Sequence, residues 1–198
     1  MSSKSISRRE VLKSLGVGAF AGSVLRVIPA EAAEQAHKMV AEEKKRASGS
    51  YTPKFFLGNQ YKTLQALCQS IIPADADSGG ALEAGAPEFI DLLTGENPEY
   101  QLALGGGLMW LDSSCMDHYG KAYLDCLPAQ QKEILDLIAY RKNALTDPSV
   151  SQGVEFFAVL RNLTADGFFT SEIGIKYLGY IGNTFLKEFP GCPPRPES

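Results

Sequence analysis

The chain has 198 residues, with 19 basic and 23 acidic side chains and a net charge of −4. That length is enough for one domain with a real core. The acidic balance argues against nucleic-acid binding, which leans on basic surface.

The N-terminus reads Ser7-Arg8-Arg9-Glu10-Val11-Leu12-Lys13, followed by a mildly apolar, glycine- and alanine-rich run from Leu15 to Leu25. Arg8, Arg9, Leu12 and Lys13 match a twin-arginine export signal, and Ala30-Glu31-Ala32 supplies an A-x-A cleavage site after Ala32. The apolar run is shorter than the ~20 residues of a spanning helix, which disfavours a permanent anchor. Residues 1–32 are therefore expected to direct the folded protein to the periplasm. Their removal takes away five basic and two acidic residues and leaves a net charge of −7.

Residues 33–52 are alanine- and charge-rich and read as a charged, flexible and partly helical leader, with a joint at Ala47-Ser48-Gly49-Ser50. The alternative is an arm that lies on a partner. His37 falls in this stretch and is expected to be exposed and idle. The remaining residues, 53–198, are expected to form one all-α domain with an irregular aromatic and proline-rich tail.

Thr52-Pro53 reads as a helix start, with Leu57, Tyr61, Leu64, Cys68 and Ile71 on one face and a stop at Pro73. Cys68 on that face is expected to be a buried thiol. Asp75 and Asp77 lie in a loop of residues 74–85 that does not meet the EF-hand pattern. A short helix runs from Pro87 to Leu93. A longer one spans about 98–119 and contains Gly105-Gly106-Gly107, so either another backbone approaches closely there or two shorter helices meet. Pro128 opens a helix with Ile134, Leu137, Ile138 and Leu145 in its stripe, closed by Asp147-Pro148. The next runs from Gly153 to Ala165, and Asp166-Gly167 reads as its stop. About five main helices with long connections follow from this pattern, and no run alternates long enough for a strand.

The aromatic residues Trp110, Phe168, Phe169, Tyr177, Tyr180, Phe185 and Phe189 are candidates for a partner interface, because an irregular tail this aromatic packs against something. Cys115, Cys126 and Cys192 are disulfide candidates in an oxidising compartment. A Cys115–Cys126 pair fits a helix end meeting the following connection, with Cys192 left to a partner or pairing with Cys126 instead. No catalytic or metal-binding motif is present: no Cys-x-x-Cys, no His-Glu-x-x-His, no Gly-x-Ser-x-Gly and no dinucleotide fingerprint.

Several stretches, in order, resemble the gluconate 2-dehydrogenase subunit 3 family. They are Tyr51-Thr52-Pro53-Lys54-Phe55-Phe56, Ile71-Ile72-Pro73-Ala74-Asp75, Ala84-Gly85-Ala86-Pro87-Glu88-Phe89-Ile90-Asp91, Gly106 to Asp112, Phe156 to Thr164 and Gly191-Cys192-Pro193. The resemblance implies a helical, non-catalytic small subunit of a periplasmic dehydrogenase of the glucose-methanol-choline type. It further implies a large partner that binds FAD, oxidises a sugar, sugar acid or glycoside, and crosses the membrane on the small subunit's signal. Electrons would pass on to a cytochrome c subunit or another acceptor. The resemblance implies no cofactor in this chain. A stand-alone periplasmic helical binding or structural protein is the other reading.

Overall fold

The computed structural model describes residues 28–180 and 182. The expected export-signal residues Arg8, Arg9, Leu12 and Lys13, together with Cys192, Phe185 and Phe189, lie outside them. All regular elements among the described residues are helical. They are α1 (Ala30–Arg46), α2 (Asn59–Ile71), α3 (Ala86–Glu96), α4 (Pro98–Tyr100), α5 (Gly106–Tyr119), α6 (Pro128–Ile138), α7 (Arg141–Thr146), α8 (Ser151–Phe169) and α9 (Glu172–Tyr177).

α8 is the central strut, and α2, α3, α5, α6, α7 and α9 all pack on it. The reason is in its composition: Phe156, Leu160, Leu163 and Phe168 recur at helical spacing and are all buried. Opposite them lie Leu64, Leu67, Phe89, Ile90 and Leu111, likewise buried. Each such side chain contributes ~1.5–3 kcal/mol by leaving water. Asp166-Gly167 does not stop this helix. Gly167 serves instead as the contact with α3, where a side chain at this position would sit 3.0 Å from Phe89 and 3.2 Å from Ala86.

The segment expected to be a flexible leader is the packed helix α1. Ala33, Ala36 and Val40 recur at helical spacing and are buried, largely against α3. Small residues let the two helices approach closely, so the charges that suggested solvation occupy only the outer face. Lys44 reaches Glu88 at 2.7 Å, and Glu43 pairs with Lys54. The proposed cleavage residues Ala30 and Ala32 fall in the first turn of α1, where Ala32 is buried.

The helix expected from Thr52-Pro53 begins only at Asn59, after Gly58 at φ 57°. Tertiary contacts override the local start signal here, because Asp91 captures the preceding loop. Its Oδ2 accepts from the Tyr51 hydroxyl at 2.9 Å and the Lys54 N–H at 2.7 Å. Its Oδ1 accepts from the N–H groups of Phe55 at 3.0 Å and Phe56 at 2.8 Å. Leu57, expected on the buried stripe, is consequently exposed.

Residues 98–119 are a continuous run, with α4 passing through a π turn at Gln101–Gly105 into α5. Close approach explains Gly107: a Cβ there would lie 2.0 Å from Phe156 Cδ2. The helix opened by Pro128 is interrupted at Ala139-Tyr140, and Leu145 beyond the break is exposed. Tyr140 takes an extended backbone, which rotates α7 out of the register of α6. Part of the tail expected to be irregular forms α9, capped by the Ser171 hydroxyl, which accepts from the Gly174 N–H at 3.1 Å. None of the described helices is long and apolar enough to cross a membrane.

Candidate partner-binding surface

A groove of about 500 Å³ runs between the α4–π–α5 segment and one face of α8. The α8 side is a helical stripe from Gln152 to Asp166, about 21 Å long at 1.5 Å per residue. Phe156, Val159 and Leu163 form its apolar part, facing Tyr100 and Ala103. The π turn swings Leu102 outward at the rim, where it is 80% exposed. π turns inside helices are frequent at functional sites, since the extra residue displaces side chains from the helix's own register.

The charged groups of the groove are acidic. Glu99, Glu155 and Asp166 line it, and among the described residues no lysine or arginine does. Asp166 Oδ2 is shielded from solvent yet has no hydrogen-bond partner among the described residues. Burial pushes its pKa up to about 6, because desolvation penalises the charged carboxylate. Nothing in the sequence singled out Asp166 beyond a helix stop, since its role depends on which side of α8 lies open.

A second apolar surface forms around α9. Phe169, Ile175, Tyr177, Leu178 and Tyr180 are all partly or well exposed. Phe169 and Tyr177 both pack edge-on against Phe168, at 5.1 Å and 6.3 Å between ring centres. Phe168 itself is buried and holds α9 to the core, so this interface candidate is a structural residue. Trp110 is half-buried, with its ring against Gly153, where a Cβ would meet Trp110 Cζ3 at 2.4 Å. The structure thus brings Phe169, Tyr177 and Tyr180 to one surface and places Trp110 apart from them.

The two histidines are engaged locally. His37 is not exposed: its ring stacks on Phe89 at 4.9 Å and its Nε2 lies 3.0 Å from Thr170 Oγ1. Burial lowers its pKa. His118 donates from Nδ1 to the Ser114 carbonyl at 2.8 Å. Asp75 turns its own loop by accepting from the Asp77 and Ser78 N–H groups. Asp112 accepts from the Tyr123 N–H at 3.0 Å and so fixes the connection after α5. That connection brings Cys126 near Cys115, both as buried thiols, with Cys126 Sγ 4.0 Å from the Lys121 carbonyl. Burial, reinforced by Cys126, pushes the Cys115 thiol up to about 12. Cys68 is buried too, 3.5 Å from Thr164 Oγ1. No group of three histidine, cysteine, aspartate or glutamate side chains among the described residues could hold a metal ion.

A family model for gluconate 2-dehydrogenase subunit 3 matches residues 58–191, more than half of the chain. The chain belongs to this family. Comparison with curated proteins and with solved structures finds no match. The subunit 3 match spans the groove and the α9 surface, and it includes Asp91 but not the loop that Asp91 holds. In this subunit 3 chain Arg8-Arg9 and α1 precede the matched segment.

Proposed function

We propose that this chain is a non-catalytic small subunit that binds and stabilises a large FAD-dependent dehydrogenase subunit and co-exports it through the twin-arginine signal. The partner would oxidise a sugar, a sugar acid or a glycoside and hand its electrons to a cytochrome c subunit or another acceptor, in the periplasm. Membership of the subunit 3 family carries the reading. It is supported by Arg8 and Arg9 in their signal context, and by the exposed apolar surface at Leu102 and around α9.

Four of the described titratable groups also fit a binding role. His37 and His118 are tied to Thr170 and Ser114, and Asp91 and Asp112 spend their acceptors on backbone N–H groups. Groups so engaged hold loops in place and are poorly poised for proton transfer to a substrate.

The test is to express the large subunit from the same source with this chain, without it, and with the Arg8→Lys/Arg9→Lys variant. Dehydrogenase activity is then assayed in the periplasmic fraction. The expected result is periplasmic activity only with the unaltered chain, and cytoplasmic retention of the large subunit with the double variant. Full export and activity of the large subunit alone would overturn the proposal in favour of a stand-alone helical binding protein.

A further inference from the structure

The groove beside α8 combines three features that a merely solvated cleft does not need. Its floor is apolar, with Phe156, Val159 and Leu163 from α8. Its rim carries Leu102, which is 80% exposed because the π turn displaces it. Asp166 on its wall has a shielded carboxylate oxygen with no hydrogen-bond partner among the described residues. A shielded acceptor left unpaired costs free energy, and more when it is charged. A ligand that supplied the missing donor would recover that cost.

We propose that this groove receives a segment of the large subunit in which an apolar side chain lies beside a lysine or arginine. The apolar chain seats on Val159 and Leu163 under Leu102, and the cation pairs with Asp166. The inference rests on the small-subunit reading and adds the place of contact and the chemistry of the contacting segment. Charge decides the sign of the partner residue: among the described residues the groove's charged lining is acidic throughout, with Glu99, Glu155 and Asp166 and no basic side chain. A second copy of the chain would bring its own acidic groove face and a net charge of −4 against it, which disfavours self-association here. The length favours a protein segment over a small cation, since a stripe of about 21 Å accommodates several consecutive side chains.

The experiment uses the complex of this chain with its large subunit. Leu102→Asp and Asp166→Asn are each expected to weaken the complex by about tenfold, the effect of losing one well-packed anchor or one shielded ion pair. Leu145→Asp, at an exposed leucine away from the groove, is expected to leave affinity unchanged. Thermal unfolding of each variant alone checks that the fold persists. Leu102→benzoylphenylalanine is expected, on irradiation, to capture a peptide of the large subunit that holds a lysine or arginine within a few residues of the attachment point. Wild-type affinity for both groove variants would overturn the inference, as would capture of this chain itself or of a peptide without a basic residue. In those cases the large subunit still co-purifies, so the small-subunit reading stands. If unaltered protein retains no large subunit at all, that reading and the inference fall together.

Discussion

Replacing Asp91 by asparagine removes one of the two acceptor oxygens that hold the loop of residues 51–56 against α3. The carboxylate is fully buried and accepts four hydrogen bonds, two on each oxygen. The asparagine amide keeps one acceptor oxygen and turns an NH₂ group toward the other pair of donors. Two hydrogen bonds to a charged acceptor are lost, worth about 1.5–3 kcal/mol each, and two donors are left facing another donor. The expected destabilisation is about 3–5 kcal/mol, a drop in Tm of about 10 °C for a chain of this size. Urea unfolding followed by circular dichroism measures it, with limited proteolysis expected to cut first within residues 51–58. A loss below ~1 kcal/mol, with the loop still protected, would refute the claim that Asp91 rather than apolar packing anchors this loop.

Gly107→Ala places a Cβ 2.0 Å from Phe156 Cδ2 and is expected to cost about 2 kcal/mol or more in denaturant unfolding, since α5 and α8 must separate. In the free chain, Asp166→Asn is expected to raise stability by about 1 kcal/mol above pH 6, after allowing for solvent screening of the partly exposed carboxyl. The sign follows from the raised pKa: the folded state holds its proton more tightly than the unfolded state, so the cost of ionisation is present above about 6 and absent below 3.8. The variant's advantage should therefore vanish in acid, and an advantage that persists there would exclude ionisation as its cause. His37 titrates with the opposite consequence. Its pKa is lowered by burial, so stability is lost as pH falls below the unfolded value of 6.5, and His37→Gln should flatten the unfolding midpoint across that window. Among the described cysteines, mass mapping without reductant after exposure to a disulfide donor is expected to show Cys115 joined to Cys126 and Cys68 as a free thiol. Cys68 in any disulfide would contradict its placement in the core against Thr164 Oγ1 at 3.5 Å.

By itself, the sequence determined the helical class, the family and the positions of most helices. The stripes of α2, α6 and α8 repeat at the helical period, and proline and glycine punctuate the connections. Such local signals survive in any context because they follow from backbone sterics and from the need to hide one apolar face. Only the tertiary structure decided where those signals are overruled. Ala33, Ala36 and Val40 look unremarkable in a charged leader, yet they bury α1 because α3 offers a surface to meet them. Thr52-Pro53 does not start a helix because Asp91, distant in sequence, takes the backbone donors first. Read along the chain, Gly107 leaves a close approach and a break equally open and Gly167 reads as a helix stop, but in the folded protein they are contact points for Phe156 and α3. The groove beside Asp166 lies further still from the sequence. It exists only where a π turn and one face of α8 fail to close on each other, and whether a carboxylate is shielded depends on neighbours that no local pattern names.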